Sequence, residues 1–274
     1  MSILMKTDCD RDKFPNQSTV YGPITSWRFG QSLGIDPIFE TSTCSFNCIY
    51  CQLGEIQNIT RQFKIYVKTQ RVLEDFKQIM SQGKKIDVIT YSGSGEPSLA
   101  ANLGEIVTGI RAIASGIPQF ILTNATELGR EEVRLNLKQM DKVIVKIDAA
   151  NEEMFQKMNR PAKGITLDGV IKGILQFKEV FQGQIEVQTM FMPMNQKEIE
   201  GLANILKQVD PSVVQLNTPK RPYPLSWHRE NRGNHLGIFD YAVSKLKSIS
   251  KSDAESLKDQ LEKLTGLTIL SVYH

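Results

Sequence analysis

Short runs of β-branched and aromatic residues recur along the chain, at 34–40 (GIDPIFE), 86–93 (IDVITYSG), 119–124 (QFILTN), 142–149 (KVIVKIDA), 185–192 (IEVQTMFM) and 213–218 (VVQLNT). Most show little polar alternation, as strands covered on both faces do. Between them, RVLEDFKQIM, LGEIVTGIRAIA, REEVRLNLKQM, LDGVIKGILQFKEVF and KEIEGLANILKQV repeat apolar residues every three or four positions, the period of an amphipathic helix. Strand and helix alternating in this way predict a parallel α/β sheet with right-handed crossovers, either open or curled into a full or partial barrel. In each geometry, chemistry collects at the carboxyl ends of the strands. Two more helical stretches, HLGIFDYAVSKLKS and SDAESLKDQLEKLTG, are expected to close the chain outside the sheet, the second from an N-cap at Ser252. The stretch 52–68 (QLGEIQNITRQFKIYVK) lacks helical periodicity and reads as an extended excursion or a hairpin.

Composition narrows this. The 274 residues contain no repeat, low-complexity tract or Gly/Ser linker, so one domain is expected over 1–274, with a core at about 20–222 and a helical extension at about 236–274. No apolar run approaches the ~20 residues that cross a bilayer, and the N-terminus MSILMKTDCDRDKF mixes charge with apolar residues, unlike a secretory leader. A cytoplasmic monomer without membrane attachment is the expectation. A net charge of only +3 argues against the broad basic footprint of a dedicated DNA-binding domain. Four cysteines in a chain this long do not make a disulfide scaffold.

Three of those cysteines, Cys44, Cys48 and Cys51, fall in TSTCSFNCIYCQLG as C-x3-C-x2-C, directly after the first predicted strand. Thiolates this close in sequence can wrap one metal centre, and thiolate ligands select zinc, copper(I) or iron–sulfur clusters. A structural zinc wants four protein ligands, and the other candidates, Cys9, His228, His235 and His274, have no familiar paired spacing. A cubane on three cysteines would keep one iron without a protein ligand, open to a bound molecule that could receive an electron. A zinc knuckle and three neighbouring core cysteines are the alternatives.

C-x3-C-x2-C with an aromatic residue, Tyr50, before the last cysteine resembles the signature of the radical S-adenosylmethionine (SAM) superfamily. That resemblance implies a partial (β/α)6 TIM-like barrel, here with C-terminal helices. It also implies a [4Fe–4S] cluster on Cys44, Cys48 and Cys51, and SAM chelated to the open iron and cleaved reductively to a 5′-deoxyadenosyl radical. The turn TYSGSGEPSL carries Ser94, Gly95 and Glu96 where the superfamily usually has a Gly-Gly-Glu that meets the SAM ammonium; Ser94 departs from it. A bare strand-to-helix turn would look the same. Asn124 and Asp148 end the third and fourth strands, where the superfamily places contacts to the SAM ribose or carboxylate, although both are also ordinary capping residues. Lys146 should share the face of Asp148 as a contact to SAM or substrate, or as the buried partner of Asp148. NEEMFQKMNRP adds Arg160 as a carboxylate ligand.

Upstream, VYGPITSWRFGQSLGIDP at 20–37 resembles the segment preceding the cluster in single-domain, wyosine-synthetase-like iron–sulfur oxidoreductases, with Trp27 replacing the first arginine of a pair and Arg28 kept. Arg28 and Lys146 are the candidate catalytic residues. Two glycines and an arginine could cradle an anion there, or simply turn the chain into the strand. Tricyclic wyosine chemistry by a two-cluster enzyme would need three further cysteines, and only Cys9 is spare.

The substrate class stays divided between a small molecule or protein side chain and an RNA base. TPKRPYPLSWHRENR at 218–232 sets Lys220, Arg221, Arg229 and Arg232 against Glu230, with Tyr223 and Trp227 interleaved, as RNA contacts or as an irregular connector. A non-enzymatic electron-transfer protein is the third reading. The resemblance also implies an external electron donor, a flavodoxin or ferredoxin. The stretches 52–68 and 218–236 are candidates to cover the site.

Overall fold

The computed structural model describes residues 17–220, 222–232 and 241–273. The chain opens with an antiparallel hairpin, β1 (Val20–Ser26) and β2 (Gly30–Ile35). Two short strands follow, β3 (Thr43–Cys44) and β4 (Asn58–Ile59), which pair in parallel with each other. Strand and helix then alternate as the periodicity predicts: α1 (Thr69–Met80), β5 (Val88–Tyr91), α2 (Leu103–Ile113), β6 (Gln119–Thr123), α3 (Glu131–Leu137), β7 (Lys142–Lys146), α4 (Glu152–Asn159), α5 (Leu167–Val180), β8 (Gln184–Met190), α6 (Ile199–Val209) and β9 (Val213–Asn217). A two-residue pair, β10 (Tyr223–Pro224) with β11 (Val243–Ser244), precedes α7 (Lys251–Thr265) and β12 (Ile269–Ser271).

The main sheet runs β1-β2-β5-β6-β7-β8-β9-β12, parallel throughout except for β1. It is curled into a half-barrel: Arg28, in the turn of the hairpin, donates to Gln215 Oε1 on β9 at 2.9 Å although four strands lie between β2 and β9. Side chains alternate across it with the period of a strand. Leu33, Ile35, Ile89, Tyr91, Val145 and Val187 are fully buried in the apolar core, whereas Ser32, Gly34, Thr90, Lys146 and Gln188 line a cavity. One contiguous set of buried apolar residues joins the sheet to its helices.

Several boundaries differ from the sequence reading. The first parallel strand lies at Gly30–Ile35 rather than 34–40, because Pro37 lacks an N–H for the ladder and the Asp36 carboxylate captures the Ile38 and Phe39 amides at 3.1 and 2.9 Å. The stretch 52–68 is extended but forms no hairpin; β4 pairs with the cysteine strand instead. The segment 152–159 is helical, capped by Asn151 Oδ1 accepting from the Met154 amide at 2.9 Å. Of the expected helix at 235–248, residues 235–240 lie outside the described residues, and 241–248 are extended, pairing through β11. The N-cap of α7 is Ser250, not Ser252: its Oγ accepts from the Asp253 amide at 3.0 Å and a capping box forms with Asp253. Among the described residues no helix is long and apolar enough to cross a membrane.

Candidate functional site

The cysteine loop lies at the carboxyl end of the curled sheet, held by backbone from three directions. On one side Thr43 pairs with Gly95, its N–H donating to Ser94 C=O at 2.9 Å and its C=O accepting from the Glu96 amide at 3.0 Å. On the second, β4 pairs with β3 and the Thr60 amide donates to Cys44 C=O at 2.9 Å. On the third, the end of α4 receives the loop: Asn47 N–H donates to Asn159 C=O at 3.0 Å, Ile49 N–H to Met158 C=O at 2.9 Å, and Ala162 N–H to Ser45 C=O at 2.8 Å. Phe46 anchors the loop edge-to-face on Phe155 at 5.4 Å.

Two sulfurs face N–H donors. Cys44 Sγ accepts from the Phe46 amide at 3.4 Å and from Asn124 Nδ2 at 3.5 Å, and Cys48 Sγ accepts from Asn159 Nδ2 at 3.6 Å. Burial raises all three thiols above the ordinary thiol value. It pushes Cys48 up to about 12, with the Asp148 carboxylate adding to the shift, and Cys51 up to about 11. Cys44 is raised well above the ordinary thiol value by burial and then by Glu96. Among the described residues no three Cys, His, Asp or Glu side chains converge on the position of a single ion. A cubane makes no such demand, since each thiolate takes a different iron. Three thiols on one loop, two already facing amide donors, fit that group.

The Ser94-Gly95-Glu96 turn is built as a brace for this loop. Gly95 has φ +151°, and a Cβ there would sit 1.7 Å from the Thr43 carbonyl oxygen, so only glycine permits the contact. Ser94 donates both N–H (3.0 Å) and O–H (2.6 Å) to Asp36. Glu96 is turned into the wall, where its carboxylate accepts from the Ser98 amide at 3.0 Å, Thr123 Oγ1 at 2.7 Å and the Asn124 amide at 2.7 Å. Burial raises its pKa while those hydrogen bonds oppose the shift. No basic side chain pairs with it among the described residues.

Asp148 and Lys146 form the opposite wall. Asp148 is 3% exposed and accepts from Tyr50 O–H, Asn159 Nδ2 (2.8 Å) and the Met190 amide (2.7 Å). Lys146 Nζ lies 3.3 Å from its carboxylate, 3.3 Å from Gln188 Oε1, and over the Tyr50 ring. Lys146 pairs with Asp148, one of the alternatives read from sequence, while still lining the cavity, and Asp148 is not among the lining residues.

A cavity of about 430 Å³ fills the half-barrel, lined near the loop by Tyr50, Cys51, Gly95 and Lys146, and elsewhere by Trp27, Arg28, Asn217 and Lys220. Arg28 is held by Gln215 and packs on Phe29, 4.8 Å from the ring. It belongs to the hairpin turn before β2, whereas the cysteines follow β2, so it lines the amino-terminal floor. Arg160, expected as a carboxylate ligand, is exposed, has left-handed backbone (φ 45°) and does not line the cavity.

The basic segment after β9 is a strap. Gly54, three residues beyond Cys51, faces its backbone, since a Cβ on Gly54 would meet Ser226 C=O at 2.3 Å. His228 N–H donates to Leu53 C=O at 3.1 Å. Arg232 forms an ion pair with the buried Asp36 at 2.9 Å, Arg229 donates to Glu40 C=O at 2.8 Å, and Lys220 donates to Val272 C=O at 2.8 Å. Arg221 lies outside the described residues. Asp36 and Asn159 were not singled out from sequence. An Asp before Pro at a strand end signals the first. The second stands in NEEMFQKMNRP, with nothing local to mark its reach to Cys48.

A family model described as the Radical SAM superfamily matches residues 39–206. The chain is 44% identical over 250 residues to a UPF0026 protein of Synechocystis, covering 90% of this chain and 92% of that protein. In fold it is similar to the structure of TYW1 with a lysine-pyruvate adduct bound (TM-score 0.58, 13% identity, 86% of this chain and 75% of that one). It is also similar to Streptococcus suis SuiB bound to S-adenosylmethionine (TM-score 0.59, 13% identity, 89% and 47%).

Proposed function

The chain belongs to the Radical SAM superfamily of enzymes, and from that premise we propose that Cys44, Cys48 and Cys51 hold a [4Fe–4S] cluster whose fourth iron takes SAM in the half-barrel cavity. Bound together, the two would supply a 5′-deoxyadenosyl radical, formed by reductive cleavage of the sulfonium, that abstracts hydrogen from substrate.

The observation that carries this reading is the loop itself, with Cys51 at the cavity wall beside Gly95 while Cys44 and Cys48 face amide donors. Asn124, Asn159 and the Phe46 amide stabilise negative charge on the ligating sulfurs. Glu96 is a buried carboxylate lacking a basic partner among the described residues. It offers the counter-charge to the SAM ammonium, from a turn that Gly95 keeps against the loop. Tyr50, Lys146, Asp148 and Asn159 orient one another and keep that wall rigid. The strap over Leu53 and Gly54 excludes water from the cluster side.

Arg229 and Arg232 are engaged inside the fold. That favours a small molecule or a protein side chain over an RNA base as substrate. Under anaerobic reconstitution the protein should take up about four irons per chain and yield 5′-deoxyadenosine with SAM and dithionite. Cys48→Ala should lose both. Well under four irons in the wild type, or nucleoside formation that survives in Cys48→Ala, would sink the assignment.

A further inference from the structure

Outside the cavity, three segments converge on the outer side of the cysteine loop. They are 58–64, through the Thr60 amide on Cys44 C=O; 126–130, through Thr126 Oγ1 at 2.7 Å from Ser45 Oγ; and 159–163, through the Ala162 amide on Ser45 C=O. They carry Arg61, Lys64, Arg130, Arg160 and Lys163 against the single carboxylate of Glu127, a net charge of +4 where the entire chain has +3. Glu127 is fully buried and shared by Arg61 and Arg130, each at 2.7 Å. Lys64, Arg160 and Lys163 are exposed and have no ion-pair partner among the described residues. Ile59, in the first of these segments, is 45% exposed, and Ile65, next to Lys64, is 59% exposed. None of the five basic residues lines the cavity, and of the three cysteines only Cys51 does. The charged face is therefore not part of the cavity wall.

We infer that this face docks an acidic one-electron carrier protein, which delivers its electron to the metal centre through the outer side of the loop at Cys44. The inference rests on the cluster reading above and names the partner of that site. Exposed apolar residues close in sequence to exposed cations suit a transient complex that must form fast and dissociate. Ile59 and Thr60 make it a short route, since the Thr60 amide is hydrogen-bonded directly to the Cys44 carbonyl. The carrier loses one electron and the centre gains one. A nucleic acid serving as substrate would need such charge at the cavity mouth, whereas none of these five residues lines the cavity.

The test uses full-length reconstituted protein, a purified acidic flavodoxin as probe, and the variants K64E/K163E and K64Q/K163Q. At about 50 mM salt the wild type should bind oxidised flavodoxin, weakening as salt screens the contact. By titration, the Kd should rise roughly tenfold or more in K64E/K163E and by less in K64Q/K163Q. Flavodoxin-driven 5′-deoxyadenosine formation should fall in parallel, with the dithionite-driven rate unchanged. An unaltered Kd in both variants, or a wild type that does not bind flavodoxin at low salt, overturns the inference. So does a variant that loses retention of bulk tRNA while keeping flavodoxin, which would give the face to nucleic acid. Absence of nucleoside with dithionite in the wild type would defeat the catalytic reading instead, and the binding titration would still decide the surface.

Discussion

Gly95 shows how much one missing Cβ decides. The Thr43 carbonyl occupies the space a side chain would need, and that carbonyl accepts from the Glu96 amide at 3.0 Å. Gly95→Ala must push the 94–96 turn and the cysteine strand apart, on top of roughly 1–3 kcal/mol for the left-handed backbone. Iron content after anaerobic reconstitution should fall below half of wild type. Gly129→Ala, where nothing lies within 4 Å of the added Cβ, should keep full iron. Equal iron in the two variants would remove the bracing role of Gly95. Gly95 could be picked out from its motif, but the reason for it could not, because the atom it avoids is 52 positions away in sequence.

The strap is where pattern and element part. HLGIFDYAVSKLKS has helical spacing, yet its described part, 241–248, is extended and pairs Val243–Ser244 with Tyr223–Pro224. Intrinsic helix preference is a few tenths of a kcal/mol per residue and yields to tertiary pairing. The strap is held most firmly by Arg232, whose partner Asp36 is completely buried and also receives both Ser94 donors. Arg232→Met leaves that carboxylate without its cation, at a cost of about 3 kcal/mol. The urea midpoint should drop accordingly, and hydrogen exchange should quicken both in 222–232 and around Ser94. Exchange confined to the strap would argue that Asp36 does not couple the two. For the cysteine loop and the parallel strands β2 and β5 to β9, by contrast, local pattern and final element agree within a few residues, while β12 falls where no strand is expected.

Across the molecule, the curled sheet brings β2 and β9 within reach of one arginine and leaves a polar cavity between them. SAM held as proposed, on a cluster iron within that cavity, should stabilise only the cluster-loaded protein. At SAM concentrations near a hundred times Kd the gain is about 2.7 kcal/mol, a Tm rise of roughly 5–10 °C for a chain of this size. Iron-stripped protein should show little or none by differential scanning fluorimetry under argon. An equal shift in both forms would place SAM somewhere other than the open iron.

The alternation of apolar runs and the spacing of Cys44, Cys48 and Cys51 were readable from the chain alone, because each depends on neighbours within one element or one loop, while the Gly95-Glu96 turn could be picked out by its motif but not explained. The curl of the sheet, the floor position of Arg28, the pairing of Lys146 with Asp148, the amide donors of Asn124 and Asn159, and the inward use of Arg229 and Arg232 were not. Each of these joins residues on separate elements. A local sequence pattern records which face of an element is apolar, but which polar side chains meet follows only when the buried faces have packed.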